Sequence, residues 1–142
     1  IIIRFELELD LLTGTLDIDD LPGAWNDKYE RYLGVCPEND AEGVLQDIHW
    51  SMGAIGYFAT YSIGNLLSVQ FFNSAMEALP NLDTDIAAGD FGSLLGWLRE
   101  NIHRHGSKFT PRELVQRVTG GDMDARPYMR YLREKYSDIY SL

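Results

Sequence analysis

Helix start and stop signals constrain the fold of this chain more than any other feature of its sequence. Ile2, Phe5, Leu9 and Leu12 recur near helical spacing, and Gly14 stands where a left-handed C-cap belongs. Further along the chain, other Gly and Pro residues separate similar periodic segments, and no segment has the pattern of a strand. The sequence therefore predicts an all-α fold of about six to seven helices.

The predicted helices lie between these signals. Asp19 or Asp20 is expected to cap the second helix, and Thr110 with Glu113 has the spacing of a capping box. The periodicity breaks over residues 35–53, which predicts a loop region with room for one short helical turn. The predicted ranges are 1–13, about 20–33, about 56–79, 83–88, from 90 or 91 to about 105, 111–119, and from 122 or 124 onward.

Length and charge limit the kind of protein this can be. The 142 residues, 45% of them hydrophobic, suffice for one packed domain over residues 1–142. A net charge of −10 argues against nucleic acid as a partner, because neutralising phosphates needs a surplus of Lys and Arg on some face. Residues 1–50 hold 12 of the 22 acidic residues but only 3 of the 12 basic ones. This segregation indicates a solvated surface or one that complements part of a larger assembly.

The sequence predicts a cytoplasmic protein with no membrane contact. It has no apolar stretch of about 18 residues free of polar groups, and no charged region ahead of a signal cleavage site. Its single cysteine, Cys36, has no partner for an internal disulfide, which is typical of a reducing compartment. The chain opens at Ile1 without Met, inside the first predicted helix, so we expect that a preceding segment has been removed.

A cluster of polar and aromatic residues between Gly43 and Tyr61 is not required by any helical fold. It reads GxxQDxHW over residues 43–50, followed by GYxxxY over residues 56–61. Such groups cost free energy to bury unless each finds a partner. The cluster therefore faces a ligand, a metal or a satisfied polar network.

His49 leads the candidates for chemistry. An imidazole two residues from Asp47 and beside Trp50 can donate to a substrate oxygen or accept a proton, although a histidine simply hydrogen-bonded in place fits the same pattern. Gln46 and Asp47 either orient it, bind the substrate backbone or cap neighbouring helices. Tyr57 and Tyr61 are four apart and project from one helical face, either toward a developing oxyanion or carboxylate or into the core.

The sequence offers no metal-binding motif. His103 and His105 are two apart, so a helix places them on different sides, and cations near a helix C-terminus explain them as well. There is no HExxH, no GxSxG, no P-loop and no GxGxxG. We therefore expect this chain alone to bind no metal and to lack a complete catalytic apparatus.

GxxQDxHW followed by SxGxxGYFxTYxxGN resembles the carboxypeptidase Taq family of zinc carboxypeptidases, which remove single residues from peptide C-termini. Further segments agree in order along the whole chain, namely RFELE (4–8), DLPxxWN (20–26), YLG (32–34), WLRENIHRHG (97–106) and YLREKYSDIY (131–140). The match extends only to the C-terminal part of a family member. Ala59 departs from the family, which commonly has Pro there.

The resemblance implies an almost wholly helical fold whose groove holds one zinc ion. Its ligands, the histidines of HExxH and a later glutamate, would lie upstream of Ile1 together with the general base. By that similarity, His49 would bind substrate or the oxyanion formed when metal-bound water attacks the carbonyl. Tyr57 and Tyr61 would aid it or hold the C-terminal carboxylate. Gln46, Asp47 and Trp50 would shape the substrate-binding loop.

Two other interpretations of the sequence remain open. The chain could be a stand-alone helical module that binds a peptide without cleaving it, or one chain of a two-chain enzyme. The main hypothesis is a C-terminal part of a metallocarboxypeptidase, inactive by itself, whose partners are peptide C-termini and the N-terminal part of the same enzyme. Exposed apolar surface in such a part, and the resemblance itself, predict a homo-oligomer.

Overall fold

The computed structural model describes residues 1–142 and contains α-helices, short 3₁₀ turns and no strand, which confirms the all-α prediction. There are eight α-helices, because the predicted helical turn within residues 35–53 forms a helix of its own. They are α1 (Ile2–Thr13), α2 (Leu21–Leu33), α3 (Ile48–Ser51), α4 (Phe58–Ala78), α5 (Leu82–Ala87), α6 (Gly92–Asn101), α7 (Pro111–Thr119) and α8 (Arg126–Tyr140). None of them combines the length and apolar character that a membrane crossing requires.

Glycine ends three of these helices in the left-handed conformation. Gly14, Gly34 and Gly120 have φ of +73°, +67° and +76°, and each donates its N–H back to a carbonyl of the preceding helix. Only glycine adopts this conformation without a steric penalty from Cβ. The glycine stop signals therefore predict these helix ends correctly.

The predicted side-chain cap of α2 and the predicted start of the last helix are wrong. Asp20 precedes α2, but its side chain forms no capping hydrogen bond, because residues 18–20 form a 3₁₀ turn that holds its backbone at φ −89° and ψ −7°. A capping side chain needs the extended conformation. The last helix begins at Arg126 and not at Asp122 or Asp124. The Asp122 carboxylate instead accepts from Arg112, and that of Asp124 accepts from the Arg126 N–H.

The predicted helix end near residue 105 is also wrong. The α-helix stops at Asn101, and a 3₁₀ turn over His103–His105 follows before Gly106. Ile102 interrupts the helix with φ −124° and ψ −64°. Both histidines therefore lie outside α6.

The structure comprises two compact units, Ile1–Ile63 and Gly64–Leu142, and the prediction of a single domain stays a prediction. The core of the first unit joins α1 to α2 through Ile3, Leu7, Leu21 and Trp25, with Val44 from the following loop. Trp25 is 2% exposed and stacks on Tyr29 with ring centroids 4.7 Å apart. This core fixes the two helices on which the candidate site rests.

A part-buried ion pair also joins α1 to α2. Lys28 Nζ donates to Glu6 Oε2 at 2.9 Å, and the Tyr32 hydroxyl donates to the same carboxylate. These hydrogen bonds lower the pKa of Glu6 below its ordinary value. The hydrogen bonds and ion pairs of Lys28 and Glu6 involve only α1 and α2, not the segment that carries His49.

In the second unit, the Gln70 side chain ties α4 to the segment before α8. Its amide nitrogen donates to the Asp122 carbonyl at 3.1 Å, and its amide oxygen accepts from the Asp124 N–H at 2.9 Å. Gln70 is 8% exposed, so both of its polar atoms need partners, and both have them. Gln70 thereby fixes the approach to α8.

Thr110→Ala is expected to destabilise α7 by about 1 kcal/mol. The Thr110 hydroxyl accepts from the Glu113 N–H, and the Glu113 carboxylate accepts from the Thr110 N–H, as the capping-box spacing predicted. Amide hydrogen exchange of residues 113–119 measures the effect. Ser68→Ala, on the exposed face of α4, is the control and should leave the exchange of α7 unchanged.

Candidate functional site

The candidate site lies in the first unit, where residues 43–61 form two short turns and the start of α4. Val44–Gln46 is a 3₁₀ turn, and Asp47 then caps α3 by accepting from the Trp50 N–H at 3.0 Å. His49 and Trp50 therefore belong to α3, which is the short helical turn predicted within the loop region of residues 35–53. A helix of four residues has little stability of its own, so this cap and its packing must hold it.

Two contacts fasten this segment to α1. The Asp47 side chain is completely buried, and its Oδ2 lies 3.2 Å from Arg4 Nε as an ion pair without hydrogen-bond geometry. The Trp50 indole N–H donates to Glu8 Oε1 at 2.9 Å. Glu8 is 2% exposed, so both carboxylates of this network are buried. The segment that carries His49 is thus tied to a helix more than forty residues earlier in the chain.

His49 contacts polar groups at both ring nitrogens. Its Nε2 lies 3.0 Å from the Tyr61 hydroxyl oxygen, and its Nδ1 lies 3.5 Å from Asp47 Oδ1. The ring also packs edge-on against Phe58, with centroids 4.8 Å apart. Phe58 is 2% exposed, whereas the His49 side chain is 21% exposed. Packing against buried Phe58 therefore holds the imidazole ring in place, and one edge of the ring is open to solvent.

Two exposed phenols flank this edge. Tyr57 is 47% and Tyr61 40% exposed, and their rings contact each other with centroids 5.2 Å apart and planes at 87°. Tyr57 directly precedes α4, so the two residues do not share one helical face as expected. Both rings nevertheless contact His49, at centroid distances of 5.8 Å. His49, Tyr57 and Tyr61 form one group of donors at the surface of the first unit.

The other predicted site residues lie beneath or beside this group. Asp47 and Trp50 use their polar atoms to bind each other and α1. Gln46 is exposed, and its amide nitrogen donates to the Ala41 carbonyl within the same loop. Their assignment to substrate binding stays a prediction, as do the catalytic roles of His49, Tyr57 and Tyr61.

Arg4 and Glu8 were missed as members of the site. The sequence carried one signal for them, since two opposite charges lie four residues apart in the first predicted helix. The predicted apolar face of Ile2, Phe5, Leu9 and Leu12 is 38–65% exposed, and α1 instead buries the face of Ile3, Leu7 and Glu8. Charged residues at such positions are rarely buried unless they are paired. Their partners, Asp47 and Trp50, lie too far along the chain to be identified from spacing.

These residues do not fit a metal site. No group of three or more His, Cys, Asp or Glu side chains in the structure could hold a metal ion. His103 and His105 lie in the 3₁₀ turn after α6, where the His105 ring packs against Phe109 with centroids 5.2 Å apart. The chemistry that the His49 group offers is hydrogen bonding to an oxygen atom, by one imidazole and two phenols.

Comparison with known proteins gives consistent matches over almost the whole chain. Residues 1–136 match the family described as carboxypeptidase Taq (M32) metallopeptidase, which confirms the resemblance inferred from the motifs. Thermostable carboxypeptidase 1 of Thermus thermophilus is 49% identical over 140 residues, which cover 99% of this chain and 28% of that protein. Thermostable carboxypeptidase 1 of Pyrococcus furiosus is 45% identical over 136 residues, covering 96% of this chain and 27% of that protein.

A solved structure also matches the fold of this chain closely. The crystal structure of an M32 carboxypeptidase from Deinococcus radiodurans R1 has a TM-score of 0.94 at 49% identity, covering 99% of this chain and 29% of that chain. The present chain therefore spans a little over a quarter of the length of these relatives.

Proposed function

This chain belongs to the carboxypeptidase Taq (M32) metallopeptidase family, and we propose that it supplies the substrate-binding and oxyanion-stabilising wall of a metallocarboxypeptidase cleft. The observation that carries the proposal is the convergence of His49, Tyr57 and Tyr61 on one exposed surface. The substrate class is a peptide with a free C-terminus, from which the complete enzyme releases single residues. The chain alone is inactive, because its own residues do not fit a metal site.

The geometry suits an oxygen that gains negative charge. A peptide carbonyl becomes more basic as its carbon is attacked, so donors fixed near that oxygen bind the transition state more tightly than the substrate. The hydroxyls of Tyr57 and Tyr61 are such donors, and His49 in its protonated form supports Tyr61, whose hydroxyl oxygen lies 3.0 Å from its Nε2. The same donors also suit the C-terminal carboxylate of the peptide. His49 packs against buried Phe58, so the donor set needs little reorganisation.

The metal, which we propose is zinc, would be held by other parts of a longer protein. The relatives are over three times the length of this chain, which leaves ample sequence for the ligands and the general base. We also propose a cytoplasmic homo-oligomer. Its support is apolar surface such as Leu12 and Leu33, which are 65% and 62% exposed and would be covered in a larger assembly.

One observation favours the second function, a helical module that binds peptides without cleaving them. The donor group is complete within the first unit, whereas no metal-ligand set is present. The two functions predict different coding sequences upstream of Ile1. A longer reading frame that encodes HExxH ahead of Ile1 supports the carboxypeptidase, and a start codon directly ahead of this sequence supports the module.

Tyr57→Phe and Tyr61→Phe test the proposed function in the longer metallocarboxypeptidase that contains this sequence. Each change removes one hydroxyl and keeps the ring, so we expect kcat to fall up to about 10²-fold with unchanged metal content. Steady-state hydrolysis of a short peptide measures the effect. Tyr136→Phe is the matched control, since Tyr136 is 43% exposed and stacks on Tyr140 in the second unit. Full activity in both of the first two variants would refute the proposal.

A further inference from the structure

We propose that Asp47 and Arg4 are positioning residues that keep a proton on Nδ1 of His49, so that Nε2 alone gains or loses a proton. The inference rests on the proposed function, because it assigns how the His49 group is prepared for a substrate oxygen. It replaces the expectation that Asp47 binds substrate with a role beneath His49. Asp47 is 3% exposed and does not share the open surface of Tyr57 and Tyr61.

The Asp47 carboxylate selects the tautomer of His49. An ionised carboxylate only accepts hydrogen bonds, so the nitrogen that faces it is favoured in its N–H form. Asp47 Oδ1 lies 3.5 Å from His49 Nδ1, which is buried and has no hydrogen-bond partner in the structure. Catalytic contacts are often long in the absence of substrate and shorten in the complex. With the proton on Nδ1, Nε2 of the neutral ring accepts from the Tyr61 hydroxyl at 3.0 Å.

Arg4 fixes the Asp47 carboxylate in turn. Its Nε lies 3.2 Å from Asp47 Oδ2, whereas His49 faces the other carboxylate oxygen, Oδ1. The guanidinium carbon also lies 5.2 Å from the Trp25 ring centroid and 5.4 Å from that of Phe58. Both rings are 2% exposed, so the cation is held by buried aromatic faces as well as by the carboxylate. Arg4 supplies the charge that a buried Asp47 requires.

A second contact from α1 limits how α3 can move. Glu8 lies one helical turn after Arg4 and accepts from the indole of Trp50, the neighbour of His49. Trp50 also packs edge-on against Trp25, with centroids 5.7 Å apart. Two contacts on one face of α1 therefore fix α3 at Asp47 and at Trp50. His49 lies between these two fixed residues.

Fixing the proton on Nδ1 has a consequence for substrate. When His49 is neutral, the Tyr61 hydrogen is directed at Nε2. When Nε2 takes a proton from solvent, its N–H donates to the Tyr61 oxygen, and the Tyr61 hydrogen turns toward the substrate oxygen. The charged or titratable groups facing His49 are Asp47 from its own segment and Tyr57 and Tyr61 near the start of α4. A negatively charged substrate oxygen favours the protonated form and thereby gains the Tyr61 donor.

Long-range ¹H–¹⁵N spectra of the imidazole in the 142-residue chain test the inference, at a pH where His49 is neutral. Wild type should show the Nδ1–H tautomer. Asp47→Asn should give a mixture of tautomers, and because Asn caps helices as well as Asp, α3 should persist. Arg4→Met keeps the aliphatic stem and should shift the tautomer in the same direction. In the longer enzyme, both changes should lower kcat about 10- to 10²-fold, as outer-shell partners typically do.

Glu6→Gln is the matched control. Glu6 lies on α1, as Arg4 does, and the change removes the ion pair with Lys28 of α2 without altering a contact of α3. It should change neither the tautomer nor kcat. A wild-type spectrum dominated by Nε2–H, or an unchanged spectrum in Asp47→Asn, would overturn the inference even where the tyrosine variants lose activity. Conversely, fully active tyrosine variants would remove the proposed function and leave the tautomer result intact.

Discussion

The 142-residue chain alone should release no amino acid from a peptide C-terminus, with or without added zinc. Hydrolysis by a metallopeptidase requires a nucleophile generated at neutral pH, and this chain has no group of three side chains that could hold the metal. The His49 group can stabilise charge, but stabilising an oxyanion does not replace the attacking group. The isolated chain should therefore show no peptide hydrolysis at all, and not merely a lower rate. Chromatographic detection of free amino acids from a short unblocked peptide measures it.

The longer enzyme assayed beside the isolated chain serves as the positive control. Elemental analysis of the chain after incubation with zinc and gel filtration should give no stoichiometric metal. Release of amino acids that a chelator abolishes would show that the chain holds a working metal site. That result would contradict the division of labour proposed above.

Local signals were sufficient for most of the fold. Glycine after an apolar segment predicted the ends of α1, α2 and α7, because the left-handed conformation is a property of single residues. The box at Thr110 was equally predictable, because both of its hydrogen bonds lie within four residues. The predicted capping role of Asp20 was wrong because the 3₁₀ turn of residues 18–20 sets its backbone conformation. An N-cap residue type indicates a helix start only where the chain enters in extended form.

The exposed donor group of the candidate site was also predictable from the sequence. His49, Tyr57 and Tyr61 are polar aromatic groups that a helical core does not need, and the structure brings their rings together. The buried contacts that fasten this group to α1 were not predictable. Trp50 and Glu8 are 42 residues apart, and only the packing of α1 beside the 44–50 segment makes them partners. Contacts of that kind depend on tertiary structure, which spacing along the chain does not report.

His49→Ala in the longer enzyme should lower kcat by about 10²- to 10³-fold, or about 2.7–4 kcal/mol of transition-state stabilisation. The change removes the imidazole itself and leaves the Tyr61 hydroxyl without the partner that orients it. It also opens space beside Phe58, which packs against the ring, so Tyr61 should become more mobile. Because no metal ligand is proposed in this chain, the bound metal should not change.

The chain offers a matched control for this substitution. It contains three histidines, and His103 is exposed in the turn after α6 in the second unit. His103→Ala deletes the same side chain without touching the His49 group and should leave kcat within about twofold of wild type, as expected for an exposed position. A large loss in this control would point to a general effect of the second unit on activity.

The role of His49 is tested most directly by measuring kcat and bound zinc together on the same preparation of the His49→Ala enzyme. We predict a kcat reduced by about 10²- to 10³-fold with one zinc ion retained per active site. Retained activity would show that this surface does not act on the substrate, and lost zinc would show that His49 supports the metal site instead.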